Sequence, residues 1–148
     1  MNDMRFVTLR KAMVDSQIRP NKVIDDQVIE AFSTVPRELF VNRQMQELAY
    51  IDEDLHLSGG RFIIEAMVMA RMVQALKLTP YDNVMCIGAG NGYGAAILSS
   101  LAASVIAVET RIQMVEKAQQ IVAGLDIGNV AVVKSRLQDG YPSEAPYQ

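Results

Sequence analysis

The stretch Val84-Met85-Cys86-Ile87-Gly88-Ala89-Gly90-Asn91-Gly92-Tyr93 decides how this chain is read. Val84 to Ile87 is a short apolar run of the kind that makes a buried strand. It runs straight into glycines at alternate positions, and a helical pattern follows from Gly92 to Leu101. Glycine accepts the dihedrals of a tight turn and has no Cβ, so such a loop can bring a small polar ligand against bare backbone. An ordinary glycine turn of an α/β protein has the same appearance, because short glycine motifs are common.

Working outward, Ser104-Val105-Ile106-Ala107-Val108-Glu109 reads as a second strand that ends in an acid. A helix is predicted over 111–123, with Ile112, Val115, Ala118, Ile121 and Val122 inward and Gly124 ending it. Val130-Ala131-Val132-Val133 is a third strand. The β-α-β-α-β order calls for a parallel sheet with right-handed crossovers. Residues 141–148 read as loop, with no further strand. Three parallel strands are about half of a doubly wound sheet. The expectation is therefore a truncated sheet whose first strand has an open, apolar edge that invites pairing with another chain.

Upstream of the loop, residues 65–76 predict a helix with Met69, Met72, Val73 and Leu76 as its apolar stripe, closed by Thr79-Pro80. Residues 4–17 predict another, with Phe6, Leu9 and Met13 at helical spacing, broken by Arg19-Pro20-Asn21. Asp25 or Asp26 offers the N-cap of a short helix carrying Val28, Ile29 and Phe32. Pro36 starts a turn through Phe40, and residues 44–49 form another helical turn. Residues 50–60 read as loop, most flexible at Ser58-Gly59-Gly60. The expectation is one structural domain. Residues 1–78 form a helical cap and substrate-side segment without a core of its own in the front third, and 79–148 a cofactor-binding half.

Composition narrows the function. The chain has 148 residues, 50% hydrophobic and 21% charged, an ordinary globular balance. A net charge of -3 gives no electrostatic case for a nucleic-acid partner. Cys86 is the sole cysteine, which excludes an internal disulfide and a cysteine-based zinc cluster, so a cytoplasmic location is expected. Met1 to Arg5 is not followed by an apolar signal region, and no apolar run reaches bilayer length, so no membrane partner is expected. His56, the sole histidine, reads as a solvated loop residue, and no metal site is expected.

Two ligand classes use a strand, a glycine loop and an acid at the end of the next strand, where the acid binds ribose hydroxyls. Glu109 lies at the right remove from Gly88 for that role, against the alternative of a solvated strand-end carboxylate. A dinucleotide site needs Gly-x-Gly-x-x-Gly or Ala directly after the strand, and from Gly88 the sixth position is Tyr93. From Gly90 the pattern is met, but two residues past the strand. The register Gly88-x-Gly90-x-Gly92 suits S-adenosylmethionine better. The candidate cofactor-binding residues are Gly88, Ala89, Gly90, Asn91, Gly92, Tyr93 and Glu109.

These blocks, together with Met13-Val14-Asp15-Ser16-Gln17-Ile18-Arg19, Val35-Pro36-Arg37-Glu38-Leu39-Phe40-Val41, Ala49-Tyr50-Ile51-Asp52, Met69-Ala70-Arg71-Met72 and Ala145-Pro146-Tyr147, resemble the protein-L-isoaspartate (D-aspartate) O-methyltransferases. The resemblance covers nearly the whole chain. It implies a Rossmann-like S-adenosylmethionine-dependent methyltransferase fold, here a partial parallel sheet of three strands with an N-terminal helical cap. It also implies methyl transfer to the α-carboxylate of isoaspartyl residues in damaged proteins. The chain departs from the family at several positions. The family's Gly-Gln-Thr-Ile-Ser-Gln-Pro, whose hydroxyls lie at the substrate carboxylate, is matched by Gly60-Arg61-Phe62-Ile63-Ile64-Glu65-Ala66. Phe62 and Ile64 replace both hydroxyls and cannot donate. Ser58 and Arg61 are the remaining candidates for holding an acceptor. Cys86 and Arg136 stand where the family has acids, and Asp139 is the candidate to compensate for Arg136. A non-catalytic cofactor-binding or interaction module, and a truncated fragment, are the alternatives, and a homo-oligomer through the open edge is a further expectation.

Overall fold

Asp25 sits in extended backbone and its carboxylate accepts from the amides of Gln27 and Val28, so the chain after it starts as a helix. That capped helix belongs to the first of two compact units, Met1–Lys77 and Leu78–Gln148. The computed structural model describes residues 3–148; the N-terminal reading at Met1 and Asn2 lies outside them.

In the first unit, helix α1 spans Met4–Met13 and is capped by Asp3. It does not continue as α-helix to residue 17. Val14–Ile18 is wound as a π-helix, followed by the 3-10 turn Arg19–Asn21. Pro20 lacks the amide that would extend the ladder, so the helix opens and ends there. Helix α2, Asp26–Thr34, buries Val28, Ile29, Ala31 and Phe32. Phe32 is fully buried, and truncating it to alanine is expected to cost about 3–5 kcal/mol. Two 3-10 turns follow, Arg37–Phe40 and Arg43–Leu48.

The segment expected to be plain loop carries a short antiparallel ladder. Strand β1, Leu55–His56, pairs with β2, Phe62–Ile63, in the register Leu55 to Ile63 and His56 to Phe62. The turn between them, Ser58–Gly60, needs glycine because Gly59 and Gly60 have φ of 66° and 76°. Helix α3, Ala66–Leu76, then packs on α2 and on the π-helical segment. Its inward face is Ala66, Ala70 and Val73; of the expected stripe Val73 is buried, while Met72 and Leu76 are 60% and 51% exposed. Alanines let the neighbouring helices approach closely, and the bulkier methionine and leucine are left outside. Gln74 fastens α3 to the chain before α2: its Oε1 accepts from the amides of Ile24 and Asp25, and its Nε2 donates to the Lys22 carbonyl. The front third and α3 thus share one packed core.

The second unit holds a parallel three-stranded sheet in the order β3-β4-β5, made of Asn83–Ile87, Ser104–Glu109 and Val130–Lys134. Register pairs Cys86 with Ala107 and Glu109 with Lys134. Helix α4, Tyr93–Ser99, joins β3 to β4, and α5, Ile112–Gly124, joins β4 to β5. The central strand β4 is buried on both faces from Val105 onward, as parallel strands under crossover helices are. Helix α5 buries Met114, Val115, Ala118 and Val122. Ile112, expected inward, is 43% exposed at the first position of the helix. Beyond β5 lie the 3-10 turns Leu137–Asp139 and Pro142–Glu144. Among the described residues β3 is laddered only to β4; on its other side the Gln148 amide donates to the Asn83 carbonyl at 2.9 Å.

Candidate functional site

The glycine loop follows β3, and its shape comes from three positive backbone angles, φ of 75°, 57° and 98° at Gly88, Gly90 and Gly92. A Cβ at Gly88 would meet only Leu137 Cδ1 at 3.9 Å, so the backbone angle and not crowding calls for glycine there. The loop amides are turned into the protein. Gly88 and Ala89 both donate to the Val108 carbonyl, at 2.9 and 3.1 Å, and Gly92 donates to the Ala89 carbonyl at 2.9 Å. Gly90 donates to Glu109 Oε2 at 2.9 Å. A pyrophosphate cradle depends on free loop amides. With these four committed inward, the loop fits a ligand that is not recognised through phosphate.

Glu109 ends β4 and is fully buried. Besides Gly90 it accepts from the Thr110 amide at 2.7 Å and the Thr110 hydroxyl at 3.1 Å, both through Oε1. An ionised carboxylate only accepts, and ribose hydroxyls can donate, so the residue suits the role expected of it. In this structure its present duty is to anchor the loop. A ribose reaching it must share lone pairs with those donors or displace the loop. Asn91 and Tyr93 are buried at 8% and 1% exposure, so the candidate residues are drawn together as one loop closed on one strand end. Thr110 was missed by sequence reasoning; only its adjacency to Glu109 could have pointed to it.

The neighbouring family positions are also resolved. Cys86 lies on β3, where burial first and then the Glu109 carboxylate push its thiol up to about 11. It therefore stays protonated at neutral pH and packs as a small apolar group. Arg136 makes a two-point ion pair with Asp139, Nε to Oδ2 at 2.8 Å and Nη2 to Oδ1 at 3.1 Å. The carboxylate offered as a substitute acid is thus already held by the arginine that displaced the original.

In the first unit, a cavity of about 520 Å³ is lined by Asp52, Glu53, Asp54, His56, Ile64, Glu65 and Val68. Ile64 occupies the position at which the family resemblance implies a serine, and it does line this cavity. Ser58 and Arg61 are not among its lining residues. Ser58 is exposed on the glycine turn, and Arg61 is half-buried with its backbone paired to Leu57 and Ser58. His56, expected to be merely solvated, is exposed at the cavity on β1, its ring 6.3 Å from that of Phe62. The cluster of carboxylates was missed because residues 52–54 read only as acidic loop. Among the described residues no group of three or more His, Cys, Asp and Glu side chains could hold a metal ion. Nor is any helix among them long and apolar enough to cross a membrane.

The parallel sheet, its helices and the glycine loop define an α/β protein of the Rossmann-like methyltransferase class. A solved protein-L-isoaspartate O-methyltransferase superposes with a TM-score of 0.82 at 26% identity, over 93% of this chain and 45% of that one. A Plasmodium falciparum structure described as a beta-aspartate methyltransferase, in complex with S-adenosyl-L-homocysteine, has a TM-score of 0.74 at 19% identity, over 91% and 66%. The chain belongs to the protein-L-isoaspartate(D-aspartate) O-methyltransferase family, whose model matches residues 8–148. The protein-L-isoaspartate O-methyltransferase of Herpetosiphon aurantiacus is 37% identical over 93% of this chain and 62% of its own length. Protein-L-isoaspartate O-methyltransferase 1 of Rhodopseudomonas palustris is 39% identical over 96% of this chain and 58% of its own length. The chain thus spans about three-fifths of these relatives.

Proposed function

We propose that this chain belongs to an enzyme that methylates the α-carboxylate of isoaspartyl residues in damaged proteins, with S-adenosylmethionine as donor. Its second unit serves as the cofactor-binding half and its first as the substrate side. The observation that carries the reading is the closure of the Gly88–Gly92 loop on Glu109 through Gly90, in a chain of this family. When bound, S-adenosylmethionine supplies a methyl on a sulfonium, and its transfer to a carboxylate oxygen breaks the carbon–sulfur bond, leaves the electron pair on sulfur and moves no proton. An α-carboxylate, with a pKa near ~3.5, is already an anion at neutral pH, so no side chain need act as general base. The chain's work is positioning and exclusion of water. Gly88, Ala89, Gly90, Asn91, Gly92 and Tyr93 shape the loop against which the donor lies, and Glu109 takes its ribose hydroxyls. The cavity around Ile64 receives the acceptor. The working location is the cytoplasm, and the partners are isoaspartyl proteins or peptides and not nucleic acid or membrane.

Calorimetric titration with S-adenosylmethionine and S-adenosylhomocysteine is the first test, and no detectable binding at millimolar ligand would sink the proposal. Labelled methyl transfer to an isoaspartyl peptide follows, with Glu109→Ala as control. Activity that survives that change would remove the ribose role of Glu109.

A further inference from the structure

Arg37 is fully buried in the 3-10 turn Arg37–Phe40. Its Nε donates to the Ala49 carbonyl at 2.8 Å and its Nη2 to the Ile64 carbonyl at 3.0 Å. Those carbonyls stand at the two ends of the excursion that carries Asp52, Glu53, Asp54 and His56 of the cavity, and Ile64 lines it directly. The same neck is gripped at Tyr50 as well. Gln17 Nε2 donates to the Tyr50 carbonyl at 2.8 Å, and the Tyr50 hydroxyl donates to Glu38, the residue after Arg37. Within the excursion the β1–β2 ladder and the Glu65 amide, which donates to Asp54 Oδ1 at 2.9 Å, fix the lining residues to one another. One planar guanidinium thus bridges the two ends of the neck directly. A lysine ammonium lacks the rigid fork that meets two acceptors at a fixed spacing.

We propose that Arg37 is the positioning residue of the acceptor pocket: by tying Ala49 to Ile64 it fixes the pocket's width, and so acceptor affinity, without touching the acceptor. This rests on reading the cavity around Ile64 as the acceptor site. Arg37→Lys in the full chain tests it by three measurements. Amide exchange over residues 51–63 quickens by about tenfold or more, because the excursion loses its closed neck. The KM for an isoaspartyl peptide rises about tenfold while kcat stays within about threefold, the signature of lost binding and not of lost chemistry. Affinity for S-adenosylhomocysteine stays within about twofold, which a general loss of structure would not allow.

Unchanged exchange over 51–63, an unchanged KM in an active protein, or a joint fall in cofactor affinity overturns the proposal. If Arg37→Lys does not fold, Arg37→Gln, which keeps a neutral NH2 donor group, takes its place, and failure of both makes Arg37 purely structural and overturns the proposal. A wild-type chain that binds the peptide without methylating it removes the activity reading alone, and the Arg37 effect is then read in the peptide's Kd. A wild-type chain that binds no isoaspartyl peptide overturns both readings.

Discussion

The Glu109 carboxylate and the Gly90 amide meet at 2.9 Å inside the protein, so the acid ending β4 and the glycine loop after β3 form one joined unit. Side chain and loop come from neighbouring parallel strands, and the sheet register sets their separation. Any ligand that uses Glu109 therefore also acts on the loop.

Replacing Glu109 by alanine frees the Gly90 amide and removes the acceptor. Affinity for S-adenosylhomocysteine is expected to fall by about tenfold or more, the scale of a lost hydrogen bond to a charged group. Calorimetry reads the affinity, and amide exchange at Gly90 reads the loop. Wild-type exchange at Gly90 in the variant would contradict the anchoring role.

Arg10 and Glu38 form an ion pair whose side chains are each 7% exposed, at 3.2 Å, and Arg10 Nε also donates to the Tyr50 hydroxyl at 2.9 Å. Glu38→Ala leaves a buried guanidinium uncompensated, at an expected cost of about 3–5 kcal/mol in urea unfolding. Burial first, and then the hydrogen bond to Glu38, raise the Tyr50 hydroxyl well above its ordinary value of 10.0. Above pH 10 the unfolded chain loses this proton while the folded chain keeps it. The stability contributed by the protonated hydroxyl is thus complete below pH 10 and is lost as pH climbs beyond it. In Tyr50→Phe that part of the alkaline decline disappears.

The Cys86 thiol, pushed up from 9.0 to about 11, resists alkylation at pH 8 in the folded protein. Its rate of reaction with iodoacetamide should go on climbing with pH to about 11, where an ordinary thiol has already levelled off above 9.0. Because the Glu109 charge is the second cause, Glu109→Gln brings that rise to lower pH. A rate profile centred at the ordinary thiol value would refute the assignment.

Ile64→Ser returns a hydroxyl donor to the cavity wall. Methyl transfer to an isoaspartyl peptide is expected to increase by about tenfold, the worth of one hydrogen bond to a charged acceptor. No change in kcat/KM would mean that the Ile64 side chain does not reach the acceptor.

Asp52, Glu53, Asp54 and Glu65 line the same cavity and oppose an isolated anion. Isoaspartyl peptides flanked by lysine should show a lower KM than those flanked by glutamate, and the gap should shrink at about 0.5 M salt. Equal KM values at low salt would show that these carboxylates do not face the acceptor.

Much of the fold could be read from local pattern because the decisive segments are locally overdetermined. The β4 run is apolar on both faces from Val105 to Val108, and Asp25 is a strong cap directly before a helical period. The buried face of α3 was not legible: apolar residues cover most of its turns, and packing on α2 chose Ala66, Ala70 and Val73 over Met72 and Leu76. The two-residue strands β1 and β2 are too short to show a period of two. At the site, the residue types of the loop and Glu109 could be named, but not the inward turn of the loop amides, which depends on where the Val108 carbonyl falls. The role of Arg37 was hidden because its acceptors lie 12 and 27 residues away and are backbone atoms that every residue carries.

That last property has an evolutionary consequence. Because Arg37 meets Ala49 and Ile64 through their main-chain oxygens, these two grips make no demand on the side chains at either position beyond their fit. Frame and lining are separately heritable. A hydroxyl can be exchanged for a branched aliphatic chain at position 64, and acids can accumulate at 52–54, while the backbone that presents them stays in register. The excursion between the two grips is a cassette, and transplanting residues 51–64 from a relative should carry that relative's acceptor preference with it.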